Sequence, residues 1–196
     1  MGEDRHNEMK IGIVAIQGDY EAHGKMLDRI GVEHSFVRLP KDLEGLNGII
    51  LPGGESTTHL KVMKEECLFA ALKQVAANGG AFFGTCAGAI LLAREVHGPP
   101  QDSLGLLDIS ILRNAYGRQL ASDVHMGPTK LRKEPLEMVF IRAPIIESIG
   151  KGVEVLAEDA GHPVLVRQGK ILVSTFHPEL TDDPFVHEYF LKQVVQ

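Results

Sequence analysis

The sequence predicts an α/β fold, a three-layer sandwich whose central mixed, mostly parallel sheet is flanked by helices. Short, near-continuous apolar segments recur through the first half, helical segments alternate with them, and the second half adds strands separated only by turns. Apolar runs without polar alternation mark strands covered on both faces, the pattern of a parallel sheet between two helical layers.

The first predicted strand is KIGIVAIQ at 10–17, which stops at Gly18. A helix follows over 20–30, with Leu27 and Ile30 on its apolar side and Asp19 as N-cap. EHSFV at 33–37 is the second strand, and GIIL from Gly48 the third, ended by Pro52. Helical spacing resumes over 57–64 and 68–78, AFFGT from Ala81 is a fourth strand, and a further helix is predicted over 87–95. Beyond it, ISILR, HPVLVRQ and KILVSTF read as strands that join the sheet late and partly antiparallel, and 184–195 reads as a closing helix. No repeat or linker interrupts residues 9–196, so one domain is expected, with the polar stretch MGEDRHNE at 1–8 left outside it as an extension or tag remnant.

The 196 residues are 44% hydrophobic and 23% charged, the balance of a soluble globular protein. A domain of this size buries roughly 70% of its unfolded surface, enough to fold without disulfide or metal. The net charge of −6, from 20 basic and 26 acidic residues, argues against a nucleic-acid partner. No apolar run approaches the roughly 18 residues of a membrane span. With a polar start and two cysteines in unlike settings, the expected compartment is the cytoplasm, where an unusual cysteine is better read as catalytic than as structural.

That cysteine is Cys86. Gly84-Thr85-Cys86-Ala87-Gly88 stands where AFFGT gives way to a helix, the cysteine counterpart of the G-x-S-x-G elbow. A sharp strand-to-helix turn projects the nucleophile, flanking glycines permit the close packing, and the positive helix end favours the thiolate. The amide of Ala87 would point at a developing oxyanion. Cys67, between Glu66 and Leu68, lies in no such turn and is read as structural.

A thiol nucleophile needs a base. Of nine histidines, His177 stands out because the apolar run ILVSTF leads straight into His177-Pro178-Glu179. In an extended segment residues i and i+2 share a face, and Pro178 opposes coiling. Glu179 can then hold one ring nitrogen while the other takes the proton from Cys86. His6, His34, His97, His162 and His187 read as surface residues, while His23, His59 and His125 stay unassigned. No spacing suggests a zinc site, so no metal or cofactor is expected.

Taken together, AIQGDYEAH near the start, LPGGEST at 51–57, FGTCAGAILLA at 83–93, RNAYGRQ at 113–119, FIRAP at 140–144 and STFHPELTDD at 174–183 resemble the class I, triad-type glutamine amidotransferases. The resemblance is closest to the glutaminase subunits of pyridoxal 5′-phosphate synthase, the PdxT family, and it runs from Lys10 to near the end. It implies hydrolysis of L-glutamine to L-glutamate through Cys86, His177 and Glu179, with ammonia passed to a barrel-forming synthase partner of the PdxS family. It implies further that Gly54, Glu55, Ser56, Arg113, Ile141 and Arg142 bind glutamine, that Gly54 and Ala87 form the oxyanion hole, and that Gln17 faces the partner. The chemistry agrees: arginine suits bidentate recognition of an α-carboxylate, Glu55 would meet the amine, and Gly53-Gly54 lets backbone N–H groups approach the substrate. After RNAYGRQ the chain reads LASDVHMGP, where the family carries an acidic and aromatic run.

Two other readings stand beside this one. The same triad would serve the glutaminase of another amidotransferase, such as imidazole glycerol phosphate synthase. A non-catalytic redox sensor or chaperone with a cysteine elbow would leave His177-Pro178-Glu179 without a purpose.

Overall fold

The computed structural model describes residues 9–115 and 122–196. The expected extension at 1–8, and Tyr116 to Gln119 of the RNAYGRQ motif, lie outside the described residues. The first half alternates as expected: β1 (Lys10–Val14), α1 (Tyr20–Arg29), β2 (Glu33–Val37), β3 (Gly48–Leu51), α2 (Ser56–Glu65), α3 (Leu68–Ala77), β4 (Ala81–Thr85) and α4 (Ala87–Leu92). The remainder is mostly strand: β5 (Ala93–His97), β6 (Leu107–Leu112), β7 (Ser122–Gly127), β8 (Leu136–Ile141), β9 (Ile145–Ile149), β10 (Glu154–Asp159), β11 (His162–Gln168) and β12 (Ile171–Ser174). The chain closes with α5 (Phe185–Tyr189), continued by a π-helical segment over Phe190–Val195.

Seven strands form the central sheet in the order β10-β11-β12-β4-β3-β1-β2. From β12 to β2 all neighbours are parallel, while β10, β11 and β12 pair antiparallel. Alternate residues feed opposite cores, as a pleated strand requires. Ile50 of β3, Phe83 of β4 and Leu172 of β12 enter one layer with Leu27 of α1 and Phe190. Ile49 and Leu51, Phe82, and Val173 enter the other with Met63, Leu72 and Leu91 from α2, α3 and α4. Because both faces are covered, these strands need no polar alternation.

Two small sheets, β5-β6-β9 and β7-β8, complete the fold. They correct the expected helix over 87–95, which ends at Leu92. Ala93 is already extended, and Arg94 and Glu95 are solvent-exposed residues of β5. The apolar spacing that mimics a helix there is the junction of a short buried helix with a strand. β7 spans most of the divergent LASDVHMGP stretch, pairing along β8 from Ser122↔Ile141 to Gly127↔Leu136.

Parallel pairing brings the carboxyl ends of β1, β3, β4 and β12 to one edge of the sheet. Open α/β sheets place ligands at such an edge, where the chain turns from one side of the sheet to the other. Here β1 lies between β2 and β3, so the chain leaves it in one direction and returns in the other. The packing at this edge is tight: a Cβ on Gly84 would lie 2.6 Å from the Gly88 carbonyl carbon, and one on Gly88 would overlap the Leu51 carbonyl. Backbone cannot swing away as a flexible side chain can. Gly88→Ala should therefore destabilise the fold by about 2 kcal/mol or more, read from urea unfolding midpoints at unchanged m-value.

Candidate active site

Cys86 occupies the turn between β4 and α4 with φ 49° and ψ −102°, a left-handed conformation for a residue with a side chain. Such geometry costs about 1–3 kcal/mol and persists only where the surroundings enforce it. The Cys86 N–H donates to the Ser174 carbonyl at 2.9 Å, and its own carbonyl accepts from Ala89 and Ile90 at 3.1 and 3.3 Å. Ala87 to Leu92 are all buried, so the elbow has no room to relax. The thiol sits 3.9 Å from the Ile141 carbonyl at the end of β8.

His177 follows β12 by three residues, and its backbone N–H donates to the Val139 carbonyl at 2.8 Å. Its Nδ1 donates to Glu179 Oε1 at 2.8 Å, the i, i+2 contact expected of an extended segment capped by Pro178. Both side chains are buried. Burial opposes a charge on His177, but the hydrogen bonds with Cys86 and Glu179, and their charges, outweigh it and raise the imidazole to about 10. Burial pushes the Glu179 carboxyl up, while the hydrogen bond and charge of His177 pull it back. His177 and Glu179 thus form a bonded pair, and Cys86 acts on the same ring.

An open cleft of about 100 Å³ lies beside the thiol. Its lining includes every residue the motifs nominate for substrate: Gly54, Glu55, Ser56, Arg113, Ile141 and Arg142, with Cys86 and Ala87. Ile90, Asn114 and Pro144 complete the wall. Arg142 (φ 45°) and Asn114 (φ 50°) are both left-handed, so the chain bends sharply where it reaches the cleft. Arg113 is buried, and its Nη2 donates to Glu55 Oε1 at 3.5 Å.

Glu55 is engaged within the protein itself. Its carboxylate caps α2, accepting the Thr57 and Thr58 backbone N–H groups at 3.2 and 2.8 Å and both threonine hydroxyls. Burial would raise its carboxyl, yet these donors hold it at about 2. A substrate amine would share a carboxylate already engaged by the helix, rather than meet a free one. Ser56, buried beneath, donates to Gln101 Oε1 at 3.0 Å, a residue no motif marks.

Two loops lock against each other at the sheet edge. Gln17 accepts the Glu55 N–H on its side chain at 2.9 Å and the His59 Nε2–H on its carbonyl at 2.7 Å. Gly54 has φ 145°, and a Cβ there would meet Gln17 Oε1 at 2.9 Å and His59 Nε2 at 3.1 Å. Gly53 backs onto His177: a Cβ would stand 3.0 Å from the ring Nδ1. The paired glycines therefore serve close approach within the protein as well as toward a substrate.

Several sequence expectations change here. Asp19 precedes α1 but makes no side-chain cap hydrogen bond; its Oδ2 lies 3.5 Å from His177 Nδ1 instead. Asp19, His177 and Glu179 are the one set of donors among the described residues close enough to hold a metal ion, within 4.8 Å of one another. Both carboxylates converge on the same ring nitrogen, the arrangement that holds an imidazolium. His187, read as a surface residue, is fully buried, as are His23 and His59. His125 bonds Asp159 Oδ1 at 2.7 Å and stacks on Phe140, and the hydrogen bond raises its pKa.

A parallel sheet that carries a strained cysteine and a glutamate-held histidine at its carboxyl edge places the chain among the glutamine amidotransferases. The chain belongs to the SNO glutamine amidotransferase family, whose model matches residues 13–196. It is similar to pyridoxal 5′-phosphate synthase subunit PdxT of Koribacter versatilis, 52% identical over 186 residues that cover 95% of this chain and 96% of that one. The PdxT subunit of Fervidobacterium nodosum is 49% identical, over 95% and 97% of the two chains. A crystal structure of a glutamine amidotransferase, 47% identical, superposes with a TM-score of 0.88 over 93% of this chain and 97% of the other.

The raised His177 has a measurable sign. A folded-state pKa near 10, above the ordinary value of about 6.5, means that the charged ring stabilises the fold. That contribution is complete below about pH 6.5 and fades as pH rises toward 10. The unfolding free-energy gap between the native chain and His177→Gln should shrink across that interval in urea titrations. A gap independent of pH would show that the ring is not held as a cation.

Proposed function

We propose that this chain is the glutaminase subunit of a pyridoxal 5′-phosphate synthase, hydrolysing L-glutamine with Cys86 as nucleophile, His177 as acid and base, and Glu179 as its orienter. The observation that carries the reading is the His177 ring, hydrogen-bonded to Glu179 and raised by Cys86 and Glu179 together, beside a cleft that Cys86 and the substrate motifs line. The Cys86 thiolate attacks the side-chain amide carbon, and the resulting oxyanion takes N–H groups from Ala87 and Gly54. His177 gives its proton to the departing nitrogen, so ammonia leaves and a thioester remains. Water then attacks the thioester, His177 accepts its proton, and glutamate departs with the thiolate regenerated. Arg113 and Arg142 bind the α-carboxylate, and Glu55 and Ser56 line the amine end.

The partner is a barrel-forming synthase subunit of the PdxS family, which takes up the ammonia. A protected transfer is needed because free ammonia would be protonated and diluted in water. Gln17 supports a coupling role: it stands exposed beside the cleft, and its two hydrogen bonds reach Glu55 and His59. Docking against this loop would set the Gly53-Gly54 backbone and with it the oxyanion hole. Residues 9–196 act as one amidotransferase domain in the cytoplasm; among the described residues, no helix is long and apolar enough to cross a membrane.

Glutamate release, measured with and without the synthase subunit, tests the assignment. The native chain with its partner should exceed Cys86→Ala by orders of magnitude, on the order of 10³-fold or more for loss of a nucleophile. Equal rates would reject the amidohydrolase. Gln17→Ala should lower the stimulation by the partner more than it lowers the rate of the isolated chain, because it loosens the loop that docking must order. An unchanged stimulation ratio would remove Gln17 from the coupling.

A further inference from the structure

Behind Glu179 lies a pair of imidazoles that the triad chemistry leaves unused. His23 of α1 and His187 of α5 are both fully buried. His23 Nδ1 is 2.9 Å from His187 Nε2, and His23 Nε2 is 3.1 Å from the Thr85 hydroxyl. The same His23 Nε2 lies 3.5 Å from Glu179 Oε1, and the Thr85 hydroxyl reaches that oxygen at 3.4 Å. Both rings stand edge-on to Phe83, which walls the pair with apolar surface. Burial keeps both neutral, His187 down at about 3 and His23 well below the usual range, the latter helped by the neighbouring His187 and His177.

A neutral imidazole carries one N–H, so the chain of contacts must run in one direction. His187 Nδ1 is buried and has no partner among the described residues. A proton placed there would be an orphaned buried donor, whereas a bare lone pair is tolerated far better. His187 therefore carries its proton on Nε2 and donates to His23 Nδ1. That leaves the His23 proton on Nε2, directed at Thr85 and Glu179. The opposite direction would aim a His23 lone pair at the Glu179 carboxylate and strand the His187 N–H. Both errors vanish in the first arrangement.

We infer that His23 and His187 are positioning residues of the glutaminase: a one-way hydrogen-bond chain runs from His187 through His23 and Thr85 to Glu179 Oε1, and holds that carboxylate ionised and aimed at His177. The inference rests on the glutaminase reading above. It accounts for the asymmetry of the carboxylate, since His177, Thr85 and His23 all face Oε1 while Oε2 is buried without a partner among the described residues. The charged groups around the chain are Glu179, the His177 ring, and Asp19 from the loop before α1, which also faces His177. Donors feeding Oε1 favour the carboxylate, and the carboxylate in turn holds the imidazolium.

Two measurements test this. Long-range ¹H–¹⁵N spectra of the native chain, labelled in histidine, should show His23 and His187 neutral at pH 7 with the proton on Nε2 of each. A His187 proton on Nδ1, or a charged ring at either position, overturns the chain. In the complex with the synthase subunit, His187→Leu should lower kcat about tenfold with KM changed less than about twofold, the scale of losing an outer partner of a catalytic histidine. Its acid limb in the pH–kcat profile should move to higher pH, because Glu179 loses support for its charge. His187→Gln, which can keep a donor toward His23, should recover most of the rate and the native profile. A folded His187→Leu with native kcat and profile overturns the inference, and so do equal losses in both variants with no shift of the acid limb. If His187→Leu does not fold, the glutamine variant and the tautomer spectra decide. A native complex no faster than Cys86→Ala is a separate failure: it removes the glutaminase reading, and with it any catalytic positioning by His23 and His187.

Discussion

The left-handed turn at Cys86 is the constraint on which the site depends, because it is stable only where three strands and a helix meet without intervening side chains. β4 must end against β12 so that the Cys86 N–H finds the Ser174 carbonyl. The first turn of α4 must then settle on β3, where the Gly88 backbone touches the Leu51 carbonyl. Any side chain at 84 or 88 separates these backbones. With six buried residues behind it, the elbow transfers its strain to a rigid core rather than releasing it by local motion.

Once the elbow is set, the electrostatics follow from parallel pairing. β12 lies beside β4, so the segment after β12 delivers His177 and Glu179 to the same edge that carries the thiol. There a histidine that burial alone would keep neutral is pushed up to about 10, because the hydrogen bonds and charges of Cys86 and Glu179 outweigh its burial. β1 and β3 supply the opposing wall. Their loops interlock through Gln17, Asp19, Gly53 and Glu55, so the surface beside the cleft is mechanically joined to the backbone that lines it.

Much of this was legible from residues alone. The strands at 33–37, 81–85 and 162–168 coincide with the apolar runs, and the motifs at 51–57, 83–93 and 140–144 do meet in one cleft. The failures share a cause. Ala93 to Glu95 looked helical because local spacing cannot reveal that a neighbouring strand, β6, captures the backbone. Asp19 had the position of a helix cap, but its side chain turns to an imidazole more than 150 residues away in sequence. His187 sat in an amphipathic segment that gave no sign of a buried partner, since His23 lies 164 residues distant. Strands β7 to β10 were missed because they are short, partly exposed and carry charges that a covered strand would exclude.

By itself the sequence determined the fold class, the elbow and the contact between His177 and Glu179. Each of these is written in contiguous residues: a period of apolar positions, glycines around a cysteine, a proline between histidine and glutamate. Tertiary structure alone decided what surrounds Cys86, His177 and Glu179. Which carboxylates face His177, what occupies Glu55, and how His187 reaches Glu179 through His23 are matters of residues far apart in the chain. Burial and hydrogen-bond partners are set by the packed neighbours, and those neighbours exist only when the sheet has brought its edges together.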